Sequence, residues 1–405
     1  MSFLIDPAAQ TAQYIDSLGP EALAKARDYT IGNHWLLIAG VLVSLLTALV
    51  LVRTGLMDRI AYWCSGRGWA LATFLTGAAF IFAADLIQLP WQLLTGWHRE
   101  RAFGLSSQPL SDFLLQWTLD EAINVLLGGL FLLGIYSLIR RVGARWWIWA
   151  SGFTAIAILL FMLALPSVIQ PMFNKYEPVP AGPVRVALEK IADDVGIPHD
   201  RIFLYDGSRQ SDRFTANVTG IGPTARIAIS DVAMKEASLD EVRAVTGHEA
   251  GHYKLGHIWR TLVVMPLLAM LIFWLVNRLF APTARLLGST AILSEPRGLP
   301  VFMVLSSVLS LLATPLQSSL TRIGESEADA YSLETVGLPD ALASALIKTA
   351  EYRYPRPGPL QEALFYTHPS VEKRVLRAME WKAAHPAPTV APAPAPARIA
   401  GPTAP

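Results

Sequence analysis

The sequence is poor in charge and almost without cysteine. Of its 405 residues only 16% are Asp, Glu, Lys or Arg, against roughly a quarter in an ordinary soluble domain. With 53% hydrophobic residues and a mean hydropathy of +0.39, the chain is too apolar for an ordinary globular protein. Its 33 basic and 32 acidic residues leave a formal net charge of +1. No basic stripe gathers on any segment, which argues against nucleic acid as a partner. Cys64 stands alone, and that excludes an internal disulfide and a cysteine-ligated zinc site. It reads as a small hydrophobe at a helix end. A cleavable leader is also missing from the pattern. The first thirty-odd residues carry mixed charge (Asp6, Asp16, Glu21, Lys25, Arg27, Asp28). The first apolar run, Trp35 to Val52, has the length of a spanning helix rather than of a signal h-region.

What the chain has instead is long apolar runs. A helix needs about 20 mostly apolar residues to cross a bilayer. Six runs qualify: Trp35–Val52, Trp69–Leu89, Ala122–Ile139, Trp146–Leu165, Thr261–Phe280 and Leu299–Leu320. Tryptophans at several of their ends (Trp35, Trp69, Trp91, Trp97, Trp146, Trp147) fit an interfacial belt. The last run contains Pro300 and Pro315, so an early end or a kink is expected there. Asp85 lies inside the second run, with Asp120 and Glu121 just before the third. For these acids a structural pairing and a functional role are equally compatible with the pattern.

The resulting division is a polar helical segment at 1–34, four spans at 35–166, a polar insert at 167–260, two spans at 261–320, a second polar segment at 321–382 and an Ala/Pro-rich tail at 383–405. The tail cannot bury a core and is expected to be disordered. Within the insert, Gly182 to Val195 reads as a helix, and Arg201–Tyr205, Thr215–Thr219 and Ala225–Ser230 alternate as strands do. Ser238-Leu-Asp-Glu241 is a capping box that starts a helix over the stretch Val245 to Lys254.

That stretch holds His248, Glu249 and His252. On a helix, positions i and i+4 share a face, so two imidazoles can reach one zinc ion with the glutamate beside its water. A hydrolytic zinc usually takes a third protein ligand. Arg322-Ile-Gly-Glu-Ser-Glu-Ala-Asp329 offers one, because Glu325 and Asp329 are again one turn apart. Glu325 can coordinate the metal, while Asp329 can accept a hydrogen bond from a ligand imidazole and fix its tautomer. Glu327 falls off that face and is expected in solvent. Zinc would acidify water and polarise the scissile carbonyl, with Glu249 moving the proton. His368 and Arg374 are candidates for holding the oxyanion, although a lone histidine before proline is more often a turn residue. His257 is expected on the motif helix, rotated off the metal face, in a structural role. His34, His98, His199 and His385 lack ligand spacing.

At this point the chain resembles a known family, the type I CAAX prenyl endopeptidases, which are integral-membrane zinc proteases related to the Ste protease of yeast. The matching stretches are Phe103-Gly-Leu-Ser106, Pro171-Met-Phe-Asn174, His248 to His257, Arg322 with Glu325 to Asp329, and Thr367-His-Pro369 with Arg374, in the family's order. The resemblance implies His248, His252 and Glu325 as ligands of one zinc ion per chain, Glu249 as catalytic and Asp329 behind a ligand. It gives His368 and Arg374 to the substrate or transition state. It also implies a mainly α polytopic membrane protein, with about six transmembrane helices enclosing a gluzincin-type metalloprotease domain with a small β-sheet. The implied partners are a peptide or protein substrate, prenylated in the family's case, and membrane lipids.

Two departures are visible. No apolar run supplies the extra N-terminal span of eukaryotic members. Where the family's substrate-binding strand reads Asn-Ala-Tyr, this chain has Thr215-Ala-Asn217, which preserves main-chain pairing but alters side-chain recognition. Orientation divides the two lines of argument. Arginine-rich loops (Arg53, Arg59, Arg67; Arg140, Arg141, Arg145; Arg278, Arg285, Arg297) would be cytoplasmic by the positive-inside rule, leaving the insert outside. The resemblance puts the insert on the cytoplasmic side. Within the protease class a lipidated tail and a damaged membrane protein are both open as substrates. The rival from another class is a membrane scaffold or transporter with a relict zinc site.

Overall fold

The computed structural model describes residues 6–386. It is mainly helical, and five apolar stretches are long enough to cross a membrane. One of these, Leu110–Phe173, is 64 residues long. It is a hairpin of two helices, Leu110–Val142 and Trp146–Ala164, joined where Gly143 takes φ 64°. Phe131 stacks on Phe153 across the pair at 5.4 Å. All six expected spans are therefore helical, and most extend past their apolar limits. The first helix runs from Gly19 to Arg53 and joins the polar segment expected to end at residue 34. Cys64 is buried at the last turn of Leu56–Cys64. Asp85 accepts a hydrogen bond from Asn124 at 3.3 Å, a pairing between two spans.

The sixth span departs from expectation. Pro315 ends nothing, and one helix continues from Leu299 to Val336. A proline removes a single backbone donor, a loss that a packed spanning helix can absorb without ending. The boundary drawn at 320 thus falls inside one rigid element, called the long helix below.

The insert folds as anticipated, with one strand more. A four-stranded sheet in the order β1-β2-β4-β3 is formed by Tyr176–Pro178, Ile202–Tyr205, Arg226–Ser230 (β4) and Ala216–Thr219 (β3). β1 and β2 are antiparallel, β2 and β4 parallel, β4 and β3 antiparallel. β1 escaped the sequence because three residues ending in proline give no alternation. β4 is buried along its whole length. It packs Ile227 and Ile229 against Leu188 and Ile191 of the helix Pro183–Val195 and against Val242 and Ala250 of the motif helix, Leu239–Lys254. β3 lies at the sheet edge beside that helix. The last helix, Val371–Ala384, ends with His385 stacked on Trp381 at 4.2 Å, so this histidine belongs to the folded part. The rest of the expected disordered tail, from residue 387, lies outside the described residues.

The motif helix meets the long helix through glycine. A Cβ on Gly251 would stand 3.1 Å from the Ala328 Cα, and one on Gly247 would stand 2.5 Å from the Val336 side chain. Ser332 donates to the Ala244 carbonyl at 2.7 Å in the buried contact. Gly251→Val should therefore force the helices apart and cost about 1–3 kcal/mol, together with the bound metal. Gly152, around which nothing lies within 4 Å, provides the control, since Gly152→Ala should be neutral. Thermal unfolding of both variants in detergent, alongside metal content, checks this; a Gly251→Val protein with wild-type stability would contradict it.

Candidate active site

The motif helix starts on the expected capping box. Ser238 Oγ accepts from the Glu241 N–H at 3.2 Å, and the Glu241 carboxylate accepts from the Ser238 N–H at 2.7 Å. Glu241 also accepts from Lys348 and Ser344 at 2.8 and 2.7 Å, which fixes the start of the helix to the helix Pro339–Lys348. With this end anchored and Gly247 and Gly251 flush on the long helix, His248 and His252 face Glu325.

The three donor groups form a rough triangle, in which each imidazole faces a different oxygen of the Glu325 carboxylate. His248 Nε2 and His252 Nε2 are 3.2 Å apart. Glu325 Oε2 is 3.3 Å from the first, and Oε1 is 3.4 Å from the second. A tetrahedral ion with bonds of about 2.0–2.1 Å sets its donors roughly 3.3 Å apart. Glu325 Oε2 is buried without a hydrogen-bond partner among the described residues, an atom that a metal ion would satisfy. These residues are also the group that could hold a metal, with donors within 4.8 Å of one another.

Each imidazole is held from behind. His248 Nδ1 lies 2.9 Å from Asp329 Oδ1. Asp329 in turn receives two hydrogen bonds from Arg374, from Nε at 2.8 Å and Nη2 at 2.7 Å. Burial opposes charge on His248, but Asp329 and Glu325 carry its pKa up to about 9. Surroundings that stabilise a proton on this ring stabilise a cation by the same means. Arg374 was expected to serve the reaction directly. Its guanidinium binds Asp329 through two nitrogens; it also lines the cavity, with Nη2 3.6 Å from Glu325.

The support behind His252 was not foreseen. Gly256 takes φ 69° and ends the motif helix, so His257 opens the next helix instead of continuing the first. The reversal brings His257 Nδ1 to 2.8 Å from His252 Nδ1. His257 Nε2 lies 2.9 Å from Glu327, which also accepts from Arg260 at 2.9 Å. Glu327 stands in solvent as expected, and from there it also pairs with His257 and Arg260. Gly324 makes room, since a Cβ there would stand 2.5 Å from the Arg260 guanidinium. The sequence signal for this arrangement was Gly256 itself, placed where a helix C-cap is most often found.

A cavity of about 160 Å³ opens onto the triangle. Its lining includes Glu249, His368, Thr215 and Ala216. Burial raises the Glu249 pKa above the ordinary carboxylate range. His368 Nε2 is 3.3 Å from Glu325 Oε1, and its Nδ1 is 2.9 Å from the Thr367 hydroxyl. Burial, then the Arg353 guanidinium, pushes its pKa down to about 3, so the ring is neutral at working pH. Arg322 positions this segment by donating to the Glu362 and Tyr366 carbonyls at 3.0 and 2.5 Å. Of the expected substrate-strand residues, Thr215 and Ala216 reach the cavity and Asn217 does not line it. Two stretches quoted earlier act as clamps on the loop at 206–212. Ser106 donates to the Gln210 carbonyl at 2.7 Å, and Asn174 donates to Asp206 Oδ1 at 3.1 Å. His34, His98 and His199 lie outside this cavity.

Comparison with known proteins agrees with this geometry. Residues 178–382 match the profile of peptidase family M48, and residues 7–175 match a profile described as CAAX prenyl protease N-terminal, five membrane helices. A Bacillus subtilis protein named uncharacterized metalloprotease YhfN is 26% identical, over 89% of this chain and 86% of its own. CAAX prenyl protease 1 of Saccharomyces cerevisiae is 26% identical over the same shares. The Arabidopsis thaliana homolog of that protease is 28% identical over 73% of this chain and 70% of its own. The crystal structure of S. mikatae Ste24p superimposes with a TM-score of 0.75 at 23% identity, covering 92% of this chain and 95% of that one.

Asp329 and Arg374 are only 1% and 6% exposed. Removing one member of such a pair leaves a buried charge without its partner. Arg374→Met should therefore cost about 3–5 kcal/mol, and adding Asp329→Asn should recover part of the loss. Chemical or thermal unfolding of the single and double variants reads this out; a double variant no more stable than Arg374→Met would deny the pairing its structural weight.

Proposed function

The chain belongs to peptidase family M48 and is an integral-membrane metalloendopeptidase; from that premise we propose that its metal is one zinc ion held by His248, His252 and Glu325, and that it cuts peptide bonds close to the bilayer in lipidated C-terminal segments. The observation that carries the reading is the donor triangle with Glu249 beside it in one cavity. Two nitrogens and one carboxylate oxygen, with a side left open, are the donor set of hydrolytic zinc sites. The position favours membrane-tethered substrates, since Glu325 lies little more than one turn beyond the apolar run on the same helix. Several relatives bear the name CAAX prenyl protease; carried to this chain, that name makes the lipid a prenyl group.

An ion held by His248, His252 and Glu325 would supply Lewis acidity for activating water and polarising the scissile carbonyl. The side chains do the rest. Glu249, adjacent to His248, takes the proton of the attacking water and returns it to the leaving amine. The raised pKa favours the second half of that transfer. His368, neutral and accepting from the Thr367 hydroxyl at Nδ1, carries its proton on Nε2 and donates it as a hydrogen bond to the developing oxyanion. Asp329 and Arg374 hold His248 in the tautomer that presents Nε2. The main chain at Thr215 and Ala216, leading into edge strand β3, pairs with the extended substrate. The second arm follows the same logic. Glu327 keeps the proton of His257 on Nε2, so His257 Nδ1 accepts from His252 Nδ1 and leaves His252 Nε2 free for metal.

Two outcomes test this reading. Glu249→Gln should keep one zinc per chain yet lose at least about 10³-fold in turnover on prenylated peptides, and a chelator should abolish wild-type cleavage reversibly. Full activity in that variant would sink the proposal, and equal cleavage of unprenylated peptides would remove the lipid from it. Glu327→Ala should weaken zinc binding about 10- to 100-fold in chelator competition, with no carboxylate left to set the His257 tautomer. Unchanged affinity would separate that arm from the metal.

A further inference from the structure

Three guanidinium groups lie in or beside the cavity wall, and two are neutralised. Arg374 is bound to Asp329. Arg213 lies 4.8 Å from the Tyr352 ring centroid and pairs with Glu100 at 2.6 Å and the Tyr29 hydroxyl at 2.8 Å. Arg353 is the third, 5.4 Å from the same ring, and it lines the cavity with Glu249 and His368. Among the described residues its side chain makes no salt bridge and no hydrogen bond. Partial desolvation in the cavity wall lowers its pKa.

This is not a loose surface arginine. The loop that carries it is pinned on both sides: the Tyr354 N–H donates to Thr30 at 2.8 Å, the Tyr366 hydroxyl donates to the Tyr354 carbonyl at 3.0 Å, and Arg356 bridges Asp16 and Glu372. Nor can an acid of the site come to it at no cost. Asp329 is held by Arg374 and His248, Glu325 faces three imidazoles, and Glu249 is the proposed base. A half-buried cation that makes no ion pair among the described residues, in a cavity open to a peptide, is complementary to an anion on that peptide.

We propose that Arg353 is a specificity-determining residue that forms a carboxylate subsite in this cavity. The proposal rests on the peptidase reading above and deepens it: the preferred substrate places a carboxylate a short distance from the scissile bond. Two peptide groups have that chemistry, the free C-terminus and an Asp or Glu side chain. Leu342, Ala345 and Leu346 line the same cavity, so apolar side chains next to the carboxylate also find contact.

The experiment compares two pairs of peptides, one pair ending in a free acid or an amide, the other carrying Glu or Gln near the cleavage point. Wild-type enzyme should cleave the carboxylate member of one pair about 10- to 100-fold better in kcat/KM. The pair that discriminates identifies the source of the carboxylate. Arg353→Gln should bring that ratio close to one, and Arg353→Lys should keep part of it. Equilibrium binding of the same peptides to zinc-loaded Glu249→Gln protein gives a reading that needs no turnover, so a failure to cleave would count against the peptidase reading alone. No discrimination by wild type in either pair, or an equal loss on both members in Arg353→Gln, would overturn the proposal.

Discussion

The site depends on one contact, the flush packing of the motif helix on the long helix through Gly247 and Gly251. Two helices carrying ordinary side chains pack 8–10 Å apart, and at the far end of that range the His248 and His252 rings would not meet a carboxylate projecting from the neighbour. The missing Cβ atoms close the gap. Because both glycines sit one residue before a histidine, the face that allows the approach is adjacent to the face that carries the donors. A backbone constraint and a chemical one are thus written into the same six residues, Gly247 to His252.

Around that contact the protein builds two supports of similar logic and different length. On one side a carboxylate, Asp329, holds His248 and is itself held by Arg374. On the other a second imidazole is interposed, so that Arg260 and Glu327 act on His252 through His257. Asp329 and Glu327 are two residues apart on the long helix and leave it in different directions, which is how one helix serves two ligands. Fixing both imidazole tautomers before the ion arrives reduces the reorganisation that binding would otherwise demand.

Much of this was legible in the sequence, for physical reasons. Capping at Ser238, the i, i+4 pairs His248/His252 and Glu325/Asp329, and the apolar runs are local patterns, and local patterns survive folding. What was missed depends on phase or on distance. Treating the helix as continuous past Lys254 put His257 on the wrong face; the left-handed Gly256 resets the phase. Glu327 stands in solvent as expected, but its partners, His257 and Arg260, come from another helix and leave no local signal. Pro315 looked like a break, yet a spanning helix tolerates the loss of one backbone donor and continues. Arg353 carries no local signal at all, because its meaning lies in the partners that the fold withholds from it.

The uninterrupted long helix gives the metal centre a mechanical character. Glu325 extends from one membrane helix, and His252 from the motif helix, which Gly256 joins to another membrane helix, His257–Leu287. An ion shared by the two is a cross-link between spans distant in sequence. Bilayers thicker or thinner than these helices are met by tilting them, at fractions of a kcal/mol per ångström. Tilt at one end of a stiff rod is displacement at the other. A metal ion held there and the surrounding lipid would therefore act on the same two levers, tying the tightness of the site to the thickness of the membrane that holds it.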